Sequence, residues 1–311
     1  MTRRYCTYFD THYLARGITM LRSLRHWDPA AAITVLALDP PCADALRATF
    51  GDAIDIVSQS TLLSADPALA QTRPHRTPWA FYATQKSVLL LFVLRAAPAG
   101  AAVIYIDADT CFFSSPAPLW EEAGHSPIAI SPHRFCEGNQ SLEEYGLYNA
   151  GFLYFRATPQ AIQCVEDWRI DCLTWCDEQP QPDGRFMNQG YLNQWPARYP
   201  GIHIFRHPGQ NLGPWNVNGH QMTIAGADIL VEGHPLVFYH FSQVQTDGFN
   251  NWYSLANYFH RQFDLVVSAI YVPYARAVAL ENEQFMRSGS VRPFQISSYA
   301  VCIYSHDKGS N

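Results

Sequence analysis

Short β-rich runs alternate with helical patterns through the first part of the chain, and this alternation restricts the fold more than any other feature. The runs are Tyr5 to Phe9, a helix over Leu14 to Arg25, Ile33 to Leu38, a helix near Ala43 to Thr49, and Ile54 to Val57. A βαβαβ order implies a parallel sheet covered by helices. A further helix, Ala80 to Arg95, leads into Val103-Ile104-Tyr105-Ile106, which is apolar at every position and stops at Asp107. A strand with no polar face is buried on both sides, so it belongs inside the sheet. Open α/β sheets bind ligands at the carboxyl ends of their strands, where Asp107 falls. The expected class is α/β, with a Rossmann-like, mostly parallel central sheet flanked by helices.

Beyond this point the pattern is mixed, with strands expected at Ile128 to Ser131, Gly151 to Arg156, Ile202 to Phe205 and Leu236 to Phe241, and a helix over Gln160 to Cys176. Pro and Gly make loops of Gln179 to Gly184 and His207 to Asn211. From Asn250 an aromatic stretch (Trp252, Tyr253, Tyr258, Phe259, Phe263) is expected to form a C-terminal helical extension, ending in a polar tail over Ser305 to Asn311. The division is therefore one domain over residues 1–249 and an extension over 250–311.

Composition excludes several classes of function. With 48% hydrophobic and 15% charged residues the chain can fill a large core, which rules out a disordered segment. A net charge of -6 argues against a nucleic-acid partner. The start of the chain shows no signal peptide, and the longest apolar stretch, Ser87 to Ala97, is too short to cross a bilayer and contains Arg95. Eight cysteines without a Cys-x-x-Cys pair read as free thiols in a reducing, cytoplasmic setting, with Cys172 and Cys176 on one helix face.

Asp107-Ala108-Asp109 places two carboxylates around one small residue at the end of the apolar strand. Alternate residues of extended chain point the same way, so both can face one hard divalent cation while Ala108 leaves room for a ligand. An isolated Asp-x-Asp can equally be a strand end that caps its own turn. Further features follow in order: Asn149-Ala150-Gly151 before an apolar strand, Asn188-Gln189-Gly190 after a Gly-containing loop, Trp215-Asn216 at the end of a Pro-containing one, and His240-Phe241 closing a late strand.

Taken together, these motifs over residues 3–245 resemble the GT-A glycosyltransferases, and among them the retaining group that includes glycogenin and the bacterial lipopolysaccharide galactosyl- and glucosyltransferases. The resemblance implies a nucleotide-diphospho-sugar donor, a UDP-sugar by preference, and a glycan or lipid-linked acceptor, with peripheral membrane contact an open option. It implies Mn2+ or Mg2+ bound by Asp107, Asp109 and the His240 of the His-Phe motif. Thr7, Tyr8, Phe9 and Asp10 match the strand end that cradles the nucleotide. Lys86 matches a basic residue near the donor sugar or phosphate, although a solvated surface lysine is the plain alternative. Ala108, Asn149, Ala150, Gly151, Trp215 and Asn216 match donor contacts, and Asn188 and Gln189 match the pair beside the reacting anomeric carbon.

That pair is Asp-Gln in the family, so Asn188 removes a carboxylate, for which Asp183 is a nearby substitute. The Gly and Lys that follow the His-Phe motif elsewhere are missing from Ser242-Gln243-Val244-Gln245. A degenerate nucleotide-sugar binder is therefore the alternative to an active enzyme. A sugar-nucleotide pyrophosphorylase would instead need a Gly-rich basic loop where this chain has Tyr8-Phe9-Asp10-Thr11-His12.

Overall fold

The structure, a computed structural model, describes residues 3–246, 252–255, 263–287 and 300–304. The first half runs β1 (Arg3–Phe9), α1 (Leu14–Trp27), β2 (Ala32–Ala37), α2 (Pro40–Phe50), β3 (Asp55–Ser58), the short α3 (Gln59–Ala65) and α4 (Pro67–Thr72), then α5 (Pro78–Ala96) and β4 (Ala102–Ile106). Next come β5 (Thr110–Phe112), α6 (Ala117–Ala123), β6 (Ile128–Pro132), β7 (Tyr148–Arg156), α7 (Pro159–Thr174), α8 (Trp195–Arg198) and β8 (Ile202–Ile204). A small antiparallel meander, β9 (Met222–Ala225), β10 (Asp228–Val231) and β11 (His234–Pro235), precedes β12 (Phe238–His240).

The main sheet has the order β3-β2-β1-β4-β7-β6-β8. β1, β2, β3 and β4 are mutually parallel, β7 runs antiparallel between β4 and β6, and β8 is parallel to β6. Strand order reverses between β1 and β4, so a crevice opens past their carboxyl ends, beyond Phe9 and Ile106. The expected parallel βα architecture is observed.

Burial follows the period of two. Ala102, Ile104 and Ile106 of β4 join the core under α1 and α2, while Val103 and Tyr105 join the one under α5 and α7. Neither face of β4 meets water, which is why the strand reads as an unbroken apolar run. Helix α5 is buried nearly all round, packed between strands and α7, and Thr77 caps it through a bond to the Ala80 amide. No helix among the described residues is long and apolar enough to cross a membrane.

Three details differ from expectation. Helix α7 ends at Thr174, where Trp175 turns extended, so Cys176 lies beyond the helix face it was expected to share with Cys172. Lys86 is not a solvated lysine: it is 5% exposed. The C-terminal extension contains the expected helix, a run from α9 (Phe263–Val266) through a π-turn into α10 (Val272–Arg287), which packs on α1. It also contains the strands β14 (Trp252–Leu255) and β15 (Ala300–Tyr304), which pair with β13 (Gln245–Thr246), just before residue 250, into a three-stranded antiparallel sheet. Trp and Tyr favour strands once partners exist, and here one partner comes from far along the chain. Tyr258, Phe259 and the tail over 305–311 lie outside the described residues.

Candidate functional site

A cavity of roughly 640 Å³ occupies the crevice at the switch point. One wall is the end of β1, with Tyr8, Phe9 and Asp10; the floor is Lys86, Asp107, Ala108 and Asp109; the opposite wall is Phe186 to Gln189. Volume and position fit a small-molecule site. The N-terminus of α5 adds Trp79 and Tyr82, which sequence reading missed.

The carboxylates are held by two separate devices. Asp107 follows β4 directly; its amide donates to Gly151 O across the β4–β7 pair at 2.8 Å, and the Thr110 hydroxyl closes the turn onto Asp107 O at 2.9 Å. Turn closure therefore uses a hydroxyl rather than the Asp107 carboxylate, against the plain capping alternative. Asp107 Oδ1 accepts from Lys86 Nζ at 2.9 Å and from Tyr105 Oη at 2.5 Å. Lys86 also donates to Ala150 O at 3.1 Å and lies over the Tyr105 ring. A buried ammonium needs such partners, and Lys86 in this position braces Asp107.

His240 arrives on β12, which pairs antiparallel with β5 so that His240 stands opposite Thr110. Phe241 N donates to Asp109 O at 2.7 Å, clamping the strand beside the aspartate turn. His240 Nε2 then lies 3.1 Å from Asp109 Oδ1. Burial opposes charge on both groups, but their mutual attraction outweighs it and holds the histidine pKa above 6.5 and the carboxyl below its ordinary range. One ligand atom from each of Asp107, Asp109 and His240 lies within 4.8 Å of the others. Adjacent ligands at about 2.1 Å from an octahedral cation stand about 3 Å apart, so the 3.1 Å pair suits a shared ion. His240 Nδ1 is buried without a hydrogen-bond partner. Two carboxylates and an imidazole are a donor set that a divalent cation accepts, so the residues fit a bound metal ion.

The other expected residues divide. Tyr8, Phe9, Asp10, Lys86, Ala108, Asn188 and Gln189 line the cavity together with both aspartates. Asp10 Oδ1 accepts from Tyr13 N, and burial raises its carboxyl above the ordinary range. Asn188 donates to Ala83 O at 2.7 Å, and Gln189 bridges Ala150 N and Tyr145 O at 2.9 Å each. Met187, at φ 45°, holds a conformation unusual for a long side chain next to Asn188, a strain that recurs at functional positions.

Thr7, Asn149, Ala150, Gly151, Trp215 and Asn216 are not on the cavity wall. Asn149 uses both ends of its amide internally, on His133 Nε2 and Gly151 N. Trp215 and Asn216 donate to His133 O, and the Trp215 ring packs edge-on to His240 at 5.2 Å. These groups stand behind the site. Asp183 does not replace the missing carboxylate: it is off the cavity wall and exposed, and is engaged by the Arg185 amide and guanidinium.

A mostly parallel sheet with a crevice at its switch point, two aspartates on the crevice floor and His240 against Asp109 behind it, is the GT-A arrangement. Residues 30–200, more than half of the 311, match the family model of the nucleotide-diphospho-sugar transferases, and the chain belongs to that family of glycosyltransferases. Among curated relatives, the uncharacterized proteins YfnF and YfnD of Bacillus subtilis (strain 168) are similar. YfnF is 29% identical over 250 residues (78% of this chain, 82% of YfnF), and YfnD 24% over 279 (88% of each). The galactosyltransferase LgtC, crystallised with donor and acceptor sugar analogs, shares the fold at TM-score 0.50 and 16% identity, over 95% of this chain and 98% of its own. The glycosyltransferase GlyE of Streptococcus pneumoniae TIGR4 does so at 0.52 and 14%, over 96% and 66%.

Proposed function

We propose that this chain transfers a sugar, with retention, from a UDP-sugar to an acceptor hydroxyl, with Mn2+ or Mg2+ held by Asp107, Asp109 and His240. The observation that carries the reading is that one ligand atom from each of these three side chains lies within 4.8 Å of the others, with both aspartates on the floor of the switch-point cavity and His240 just behind them, off its wall. When bound, the cation would supply Lewis-acid neutralisation of the donor diphosphate. Tyr8 offers a ring face to the base and Asp10 a carboxylate to the ribose, as their place on the β1 wall supports, while Phe9, 2% exposed with its ring against Gly17, backs that wall. Asn188 and Gln189, anchored by their amides, orient the sugar. The cavity's carboxylates are Asp10, Asp107 and Asp109, so none stands free at the Asn188 position as a nucleophile. Front-face attack fits this better: the acceptor oxygen bonds to the anomeric carbon as its bond to phosphate breaks, and the departing phosphate oxygen takes the hydroxyl proton. Asn149, Trp215 and Asn216 position the site from behind. Residues 1–249 would form the transferase domain and 250–311 its extension. The acceptor would be a glycan or lipid-linked sugar in cell-surface polysaccharide assembly. The free, mostly buried thiols of the described cysteines support a cytoplasmic setting.

Titration with UDP-, GDP- and dTDP-sugars, with and without Mn2+, tests this through thermal stability and nucleotide release. One donor should stabilise the protein only with cation and release its nucleotide. The amide at Asn188 favours a second reading, a degenerate binder, for which binding without release is the signature. No binding of any donor would sink both.

The ion pair sets a pH dependence. In cation-free protein, Asp109 contributes stability that is lost as pH falls through its lowered pKa, and His240 contributes stability that is lost as pH rises through its raised one. A cation must displace the His240 proton, so Mn2+ affinity should drop up to about tenfold per pH unit below the raised histidine pKa. Calorimetric titration across pH checks this, and a flat profile would remove His240 from the ligand set.

A further inference from the structure

We propose that His133 is a positioning residue for the cation site, acting from behind it through Asn149 and Gly151 on one side and Trp215 on the other. The inference rests on the proposed site at Asp107, Asp109 and His240. His133 is 5% exposed, lies just past β6, and is not on the cavity wall. Its Nδ1 stands 2.8 Å from Gly146 O, an atom that only accepts, so Nδ1 carries the proton and Nε2 is an acceptor. Asn149 Nδ2 donates to that Nε2 at 3.0 Å. This bond decides which way the Asn149 amide faces: with Nδ2 on the histidine, Oδ1 accepts from Gly151 N at 2.8 Å. A flipped amide would set an oxygen against the Nε2 lone pair and an NH2 against the Gly151 N–H. Neither contact is tolerable in a buried place.

Gly151 passes that orientation to the ligands. Its carbonyl accepts from Asp107 N at 2.8 Å, and a methyl group on its Cα would come within 2.8 Å of Asp107 Oδ2 and 2.6 Å of His240 Cε1. The second route starts at the His133 carbonyl, which accepts from Trp215 Nε1 at 3.0 Å and Asn216 Nδ2 at 2.8 Å. The Trp215 ring then stands edge-on to His240, 5.2 Å between centroids. Both routes from this one residue, the first from its imidazole and the second from its backbone carbonyl, end on groups of the cation site; only the first is removed by a side-chain substitution.

The test is direct Mn2+ binding by the full chain without donor, read from the paramagnetic resonance signal of free Mn2+. His133→Phe keeps a ring but removes the acceptor; His133→Gln keeps an acceptor. Groups behind metal ligands contribute about 10- to 100-fold in affinity, so His133→Phe should weaken Mn2+ by at least about tenfold and His133→Gln by no more than about threefold. Asn149→Ala breaks the same bond from the other end, and its loss should not multiply with that of His133→Phe in the double variant. A merely structural histidine would lower thermal stability and leave Mn2+ affinity alone. Unchanged affinity in His133→Phe, or multiplying losses, overturns the proposal while the cation site stands. Should His133→Phe fail to fold, unchanged affinity in Asn149→Ala overturns it equally. Absence of Mn2+ binding by the wild type would instead overturn the site beneath it.

Discussion

Asp109→Ala is expected to abolish cation-dependent donor binding and to lower turnover by about 10³-fold or more. Neutralising a departing diphosphate is worth several kcal/mol, and each 1.36 kcal/mol is about tenfold in rate. Asp109 is the critical aspartate because it has a double attachment: its carboxylate meets His240 at 3.1 Å, and its carbonyl receives the Phe241 amide. Without the carboxylate, burial of His240 is opposed mainly by the Asp107 charge, so the pKa of the ring falls. The substitution should therefore remove the stability that the pair contributes as well as the function, and the two losses are read separately. Free Mn2+ and nucleotide release measured on the same sample check this; a variant that keeps cation-stimulated turnover would refute the assigned cation ligands.

The second large effect is expected from the smallest change, Gly151→Ala. The added methyl would fall 2.6 Å from Asn149 Oδ1, 2.6 Å from His240 Cε1 and 2.8 Å from Asp107 Oδ2, all closer than carbon tolerates. None of these neighbours can easily yield. Asn149 is held between His133 and the Gly151 amide, Asp107 Oδ1 is held by Lys86 and Tyr105, and His240 is buried against Trp215. Overpacking of this kind costs about 1–3 kcal/mol, and relief by moving His240 or Asp107 would separate the ligand atoms. Mn2+ affinity should fall at least about tenfold alongside the lower unfolding free energy, as for other changes behind metal ligands. Calorimetry with and without Mn2+ distinguishes the two effects, and wild-type Mn2+ affinity would disprove the close-approach role of Gly151.

Much of this was legible in the chain because the signals are local. An apolar β4 announces burial on both faces, and a carboxylate pair at its end announces a site. His240 was reachable only by resemblance, since nothing local says that β12 will pair with β5. The burial of Lys86 had a usable signal. A lysine amid Leu, Val and Phe in a helix with no polar face must find an internal partner. His133 had no such signal, because its importance lies in bonds to Gly146, Asn149, Trp215 and Asn216, which only the tertiary fold assembles. The cavity-lining roles of Trp79 and Tyr82 were hidden for the same reason, and the strand at Trp252–Leu255 was hidden by its distant partner at Ala300–Tyr304.

The late arrival of β12 also has a consequence for synthesis. Every strand of the main sheet precedes Phe205, whereas His240 is supplied later by a separate two-stranded pairing. A growing chain could complete its sheet and present both aspartates while lacking the imidazole. Full coordination would then wait until His240 clears the ribosome, and a product truncated before Phe238 would be a folded sheet without a complete cation site.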